Sequence, residues 1–254
     1  MENSIRPYVL ADTNWKTVKE TDYTVAILPW GATEAHNYHL PYATDNFQAE
    51  FVAIEAAKEA WKKKAKVIVL PTIPFGVNTG QMDVKLCMNM SPSTQYAVLK
   101  DVAQVLNAHD IQKLVVVNSH GGNNFKQMIR ELSLAFPKIF VCAINWWEVA
   151  NASDYFNEPG DHAGELETSA IMHIKPHLVF SLEEAGNGKD KKFKIKGLKE
   201  GLFLQFDQPL DVNSAQNPAH YSVLITFLCL LNIKLTIFFE VFSTSNTINV
   251  WRDP

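Results

Sequence analysis

The chain has 254 residues, of which 47% are hydrophobic and 20% charged, the proportions of a globular domain with a sizeable core. A net charge of −4 and a pI near 6.1 give no basic footprint for nucleic acid and no cationic face for an anionic membrane. The ligand class that remains is a small molecule or a peptide. Cys87, Cys142 and Cys229 are widely spaced with no CxxC pair, and two of them lie in apolar runs, so they read as buried reduced thiols of a reducing compartment. The start "MENSIRPYVLADTNW" has no basic segment followed by an apolar one, so no signal peptide is read there and the expected location is cytoplasmic.

In chain order, "TVAILPW" (24–30) predicts a buried strand. "NFQAEFVAIEAAKEAWKKKA" (46–65) carries apolar residues at helical spacing and closes on a lysine cluster, as a helix C-terminus favours. "KVIVLPT" (66–72) predicts a second strand stopped by Pro71. The segment 91–110 opens with Ser91 as candidate N-cap and Pro92 at the first helical position. Strands are expected at 113–119 and 138–147, with a helix over 123–136 between them. A final helix over 165–174 is stopped by Pro176. Strands alternating with helices predict a three-layer α/β/α sandwich on a mostly parallel sheet, as a single domain over 1–254. Such sheets bind ligands at the carboxyl ends of their strands.

Two later segments stand apart. "EEAGNGKDKKFKIKG" (183–197) reads as an exposed basic loop. "VLITFLCLLNIKLTIFFEVF" (223–242) is nearly all apolar, but Asn232, Lys234 and Glu240 interrupt it, against the ~20 apolar residues of a membrane span. It reads as a buried element or a subunit contact, and its mix of Leu with β-branched residues leaves helix and strand both open.

The chemistry-bearing residues cluster where strands end. "WGATEAHNYHLPYATDN" (30–46) gathers Glu34, His36, His39 and Asp45 directly after the first strand. Glu34 and His36 are two apart, so on extended backbone they project to one side. "NSHGGNN" (118–124) places His120 at the end of another strand, with Gly121 and Gly122 allowing close backbone approach. Imidazoles with carboxylates suit zinc, manganese or iron, and the lack of a cysteine ligand argues against a structural zinc site. On residue types alone, the cluster reads either as a metal site or as an ordinary polar loop.

Three ordered motifs, "ATEAHNYHLPYATDN", "NSHGGNN" and "DHAGELETS" (161–169), resemble those of the creatininase (creatinine amidohydrolase) family over roughly residues 20 to 180. The resemblance implies a creatininase-like fold with two divalent metal ions per chain. Glu34 and His120 would bind one ion and His36 the other, with Asp45 bridging; His39 would be structural or orienting. In creatininase itself a glutamate ligand stands two residues after the second motif's histidine, where this chain has Gly122. Glu167 is the nearest carboxylate to replace it, the alternative being water. The aromatic that precedes the third motif in creatininase is also missing, and only "QNPAHYS" (216–222) is similar to the family's closing turn.

The implied activity is hydrolysis of a non-peptide C–N bond, in a cyclic amide such as creatinine or in a formamide, by a dinuclear-metal-activated water. Asp161 and His162 match the acid–histidine pair that would protonate the leaving nitrogen. Trp146 and Trp147 are candidates to wall the pocket, while His109, His173, His177 and His220 have no motif context. The expected partner is a small-molecule amide, with no nucleic acid and no membrane, in a homo-oligomer that is a hexamer by family analogy. Alternatives are a deformylase or a precursor-peptide peptidase on the same fold, or a non-catalytic metal-binding assembly protein. Arg6, Arg130 and Arg252 all lie outside the motifs, which disfavours a phosphate-bearing substrate.

Overall fold

Among the described residues, four strands form a parallel sheet: β1 (Val25–Trp30), β2 (Val67–Val69), β3 (Lys113–Asn118) and β4 (Phe140–Asn145), in the order β2-β1-β3-β4. The computed structural model describes residues 5–157, 160, 162–186 and 234–235. β1 and β3 are buried along their whole length, which explains why both read as unbroken apolar runs. Alternate residues still divide between the two faces. Val25, Ile27, Val115 and Val117 enter one core cluster, and Ala26, Leu28, Leu114 and Val116 the other.

Helices cover both faces. On the first, α2 (Thr44–Lys62) and α5 (Glu165–Ile174) bring Val52, Ala53, Ala57, Leu166 and Ala170. On the second, α3 (Pro92–Ala108) and α4 (Lys126–Ala135) bring Leu99, Ala103, Leu106, Met128 and Leu132. The α/β/α sandwich expected from the strand–helix alternation is therefore the observed fold. A short α1 (Trp15–Lys19) precedes the sheet, capped by Asn14, whose side chain accepts from the Thr17 amide at 3.1 Å. Pro29 sits in a central strand without breaking the ladder, because β2 pairs with β1 only as far as Ile27.

Several boundaries differ from the sequence reading. α2 starts at Thr44 rather than 46, which places Asp45 in its first turn. α4 starts at Lys126 rather than 123. Ser91 does occupy the N-cap position of α3 before Pro92, but its side chain makes no capping hydrogen bond. β2 and β4 are shorter than their apolar runs, and Trp146 and Trp147 fall in a 3₁₀ turn, Trp146–Glu148, beyond β4. Of the basic segment 183–197, residues 183–186 are described, and Leu182–Glu184 forms a 3₁₀ turn.

Within the apolar segment 223–242, Lys234 and Leu235 are described: Leu235 is buried in the α2/α5 core cluster, and Lys234 Nζ donates to the Val149 carbonyl at 2.9 Å. The rest of that segment, with Cys229, His220 and Arg252, lies outside the described residues. Among the described residues, no helix is long and apolar enough to cross a membrane.

The strand order decides where a ligand can bind. From β1 the chain crosses to β2 on one side, then returns to β3 on the other side of β1. The connections leave β1 and β3 in opposite directions, so a crevice opens at their carboxyl ends. The first motif follows β1 and the second follows β3.

Candidate metal centre

Five side chains meet in that crevice. Glu34 and His36 lie on the loop after β1, Asp45 in the first turn of α2, His120 just past β3, and Glu167 in the first turn of α5. The four from the first two motifs are at most 2% exposed. Asp45 is central: its Oδ1 lies 3.1 Å from His36 Nε2 and its Oδ2 3.3 Å from His120 Nδ1. Glu34 Oε1 is 2.7 Å from His120 Nδ1, and Glu167 Oε1 is 3.7 Å from His36 Nε2. Two groups of donor atoms, Glu34–Asp45–His120 and His36–Asp45–Glu167, each fall within 4.8 Å and share Asp45.

The free ring nitrogens follow from the hydrogen bonds. His120 Nε2 lies 2.9 Å from the Val77 carbonyl and His36 Nδ1 3.3 Å from the Glu34 carbonyl. A carbonyl oxygen pairs only with an N–H, so the opposite nitrogen of each neutral ring faces the carboxylates with its lone pair. This is how metal-binding imidazoles are normally held. The site also leaves buried polar atoms unsatisfied. His36 Nε2 and Asp45 Oδ2 make no hydrogen bond despite their close contacts. Orphaned buried polar atoms are rare. Here they converge on the space between carboxylates and imidazoles, and the donor set fits a divalent transition metal.

Electrostatics without a metal agree. Burial disfavours the charged form of His36, but Asp45 and Glu167 more than offset it and lift its pKa well above the usual histidine range. His120 is raised likewise against its own burial, by Glu34 and Asp45. Burial opposes ionisation of Asp45 and Glu167 as well, yet the facing histidines hold both below the ordinary carboxylate range. The carboxylates thus favour positive charge in the space they share with the two imidazoles.

Gly122 stands where a creatininase-like site would carry a carboxylate. A Cβ there would lie 2.3 Å from the Val77 carbonyl oxygen and 2.6 Å from His120 Nε2. Close approach is therefore a requirement at Gly122. At Gly121 it is not, since nothing lies within 4 Å of a Cβ built there. The carboxylate near His36 comes instead from Glu167, whose second oxygen accepts from the Ala163 amide at 2.5 Å.

Other expected residues fall as follows. His39 is kept from the carboxylates; its Nε2 pairs with Thr168 Oγ1 at 2.9 Å, and burial followed by the nearby His36 lowers its pKa. His162 is buried, with Nε2 2.9 Å from the Ala35 carbonyl and its ring 4.3 Å from that of His36. A His162 ring nitrogen also groups with Glu34 and His36 within 4.8 Å. Asp161 lies outside the described residues. His173 packs edge-on against Phe51, away from the cluster.

The centre opens into a cavity of about 490 Å³ whose walls include Val77, Asn78, Trp146, Trp147 and Leu166. Trp146 is fixed there by its indole N–H, which donates to Ser119 Oγ at 2.9 Å. Among the described residues, no Lys or Arg lines it. Sequence reasoning missed Asn78, Gln81 and Cys87. Cys87 is half-buried rather than buried, and Cys142 is likewise only partly covered. The one available signal was the polar run "VNTGQ" (77–81) soon after β2.

The creatininase family model, described as creatinine amidohydrolase, matches residues 11–220. The chain belongs to the creatininase family. It is 26% identical over 183 residues to the mycofactocin precursor peptide peptidase of Mycobacterium ulcerans, covering 69% of this chain and 68% of that protein. It is 22% identical over 177 residues to the creatinine amidohydrolase of Pseudomonas putida, covering 61% of this chain and 66% of that one. These relatives are hydrolases. Among solved structures, a candidate creatinine amidohydrolase from Bacteroides fragilis superposes with a TM-score of 0.85 at 37% identity, over 94% of this chain and 98% of that one. A manganese form of creatininase superposes with a TM-score of 0.71 at 17% identity, over 94% and 99%. That likeness is one of fold, and the metal belongs to the neighbour; another creatininase structure, of a variant, is of a zinc–zinc type.

Proposed function

We propose that this chain is a metal-dependent amidohydrolase that cleaves a non-peptide C–N bond in a small uncharged amide, a cyclic amide or a formamide. The observation that carries the reading is Asp45, buried with each of its oxygens facing a different imidazole. Glu34, Asp45 and His120 would hold one divalent ion, and His36, Asp45 and Glu167 a second. Two divalent ions would offset the buried Glu34 and Asp45 and the partly buried Glu167, which among the described residues face His36 and His120. Bound metal would supply Lewis acidity and a water ionised near neutral pH.

The remaining tasks fall to the chain. Trp146, Trp147, Val77 and Leu166 exclude bulk water and offer flat apolar walls to a planar substrate. Asn78 donates through Nδ2 to the Met88 carbonyl at 3.1 Å, which fixes its amide, and its buried Oδ1 has no partner. The absence of lining Lys or Arg among the described residues favours a substrate without phosphate or carboxylate. His162, at the cavity wall beside His36 with its Nε2–H held by the Ala35 carbonyl, would take up at Nδ1 the proton released by the attacking water and pass it to the leaving nitrogen. Asp161, next to it in sequence, is the other acid–base candidate.

A second reading has specific support: the match to the M. ulcerans peptidase is joined by 24% identity over 161 residues to its counterpart from Mycolicibacterium smegmatis. One experiment separates them. The purified chain, stripped and reloaded with zinc or manganese, is analysed for metal and assayed on cyclic amides, N-formyl compounds and short peptides. About two metals per chain with turnover of the amides or formamides supports the proposal. Turnover of peptides alone favours the peptidase, and fewer than about 1.5 metals per chain removes the dinuclear centre.

A further inference from the structure

We propose that Gln81 and Cys87 form a relay that makes Glu34 a one-oxygen metal donor: Gln81 positions the carboxylate, and the Cys87 thiol decides which end of the Gln81 amide faces it. The inference rests on the metal-centre reading above.

Gln81 ends the 3₁₀ turn Thr79–Gln81 and is 1% exposed. Its Nε2 donates to Glu34 Oε2 at 2.5 Å, while Glu34 Oε1 faces His120. A charge-assisted bond of this kind occupies one oxygen and leaves the other to bind a cation. The bond exists only if the amide nitrogen, not its oxygen, points at the carboxylate, since a reversed amide would set two acceptors against each other. Cys87 removes that ambiguity. Its thiol donates to Gln81 Oε1 at 3.3 Å and accepts from the Ala35 amide at 3.2 Å. Ala35 lies between Glu34 and His36, so one sulfur ties the Gln81 amide to the backbone that carries both ligands.

The segment bearing the relay is anchored independently of it. The Met88 amide donates to the Thr33 carbonyl at 2.9 Å, the Tyr42 hydroxyl to the Lys85 carbonyl at 2.7 Å, and the Met90 amide to the Gly76 carbonyl at 2.7 Å. Altering Gln81 therefore removes the donor without releasing the segment.

The test is cobalt(II) titration of the full chain, read by affinity and by visible ligand-field absorption. In Gln81→Met the freed Glu34 oxygen joins the metal. The coordination number rises, band intensity falls, and affinity at one of the two sites drops ~10–100-fold. Cys87→Ser, which still donates and accepts, keeps wild-type affinity and spectrum, whereas Cys87→Val loses affinity severalfold. If Gln81→Met does not fold, Gln81→Leu serves, because it too has no N–H to give and must show the same spectral change. Wild-type affinity and spectrum in the folded Gln81 variant overturn the relay, as does Cys87→Ser behaving like Cys87→Val. Wild-type protein that takes up no cobalt overturns the metal-centre reading and the relay with it, so the two failures are distinguishable.

Discussion

Gly122 offers a quantitative test, because two glycines stand side by side in the second motif and the structure asks something of only one. In Gly122→Ala the new methyl group lies 2.3 Å from the Val77 oxygen and 2.6 Å from His120 Nε2, where ordinary contact begins near 3.4 Å. Something must move by about 1 Å. What moves is one side or other of the 2.9 Å bond between His120 and Val77, since both partners touch the intruding atom. Breaking a buried hydrogen bond costs about 1–3 kcal/mol, and overpacking adds about 1–3 kcal/mol. The sum, ~2–6 kcal/mol, corresponds at ~2–4 °C per kcal/mol to a Tm drop of ~4–24 °C. Freed from Val77, the imidazole also loses its fixed aim, so metal affinity falls ~10–100-fold. Differential scanning fluorimetry and metal titration read the two effects. Gly121→Ala is the control, expected within ~0.5 kcal/mol of wild type as an unhindered surface change. A Gly122→Ala protein matching that control in both assays would refute the argument. Gly122→Glu meets the same clash at its Cβ, so it is expected to lose metal rather than gain a ligand.

Asp45→Ala is expected to abolish binding of both ions, measured by metal analysis after reconstitution; loss of one alone would show that Asp45 does not bridge. Glu167→Gln is expected to lose about one ion per chain and keep the other, because its carboxylate faces His36 and not His120; retention of both would remove Glu167 as a ligand. Metal binding must expel the protons that Asp45, Glu34 and Glu167 hold on His36 and His120. The raised histidine pKa values stabilise the metal-free fold fully below about pH 6.5, and that contribution is lost as pH climbs through the raised values. The lowered Asp45 and Glu167 values act on the other side, their contribution being lost as pH falls through them. The Tm gap between metal-loaded and metal-free protein should therefore widen from pH 6 to 8, and a constant gap would contradict the proton–metal exchange.

Legibility in the sequence followed range. Glu34, His36 and Asp45 fall within one short loop and helix start, and His120 lies just past a strand of consecutive valines, so local pattern and the strand-end rule picked them out as a cluster, while their reading as metal ligands came from the resemblance to creatininase. Glu167 was legible as an acid in the third motif, and its pairing with His36 required the fold. The start of α2 was misplaced because Ala43 at the N-cap contributes no side-chain cap, leaving no Ser, Thr, Asp or Asn to mark it. Gln81 and Cys87 were invisible for a different reason. Gln81 reaches Glu34 across 47 positions of sequence and Cys87 reaches Ala35 across 52, from a segment with neither helical nor strand periodicity. An amide and a thiol at such separations carry no pattern until the chain has folded.

The origin of each carboxylate also explains how the buried Glu34 and Asp45 and the partly buried Glu167 can sit together before any metal arrives. Asp45 sits in the first turn of α2 and Glu167 in the first turn of α5, where unsatisfied amides and the helix dipole favour negative charge by about 0.3–1 kcal/mol each. The Ala163 amide adds a direct bond to Glu167, and Gln81 does the same for Glu34, which follows a strand and has no helix behind it. Every acid thus has its own fixed dipole, and the imidazoles have their outer N–H groups tied to backbone carbonyls. The strand-derived acid depends on a side chain where the helix-derived acids rely on backbone. Glu34 should accordingly be the carboxylate most sensitive to substitutions outside the three motifs.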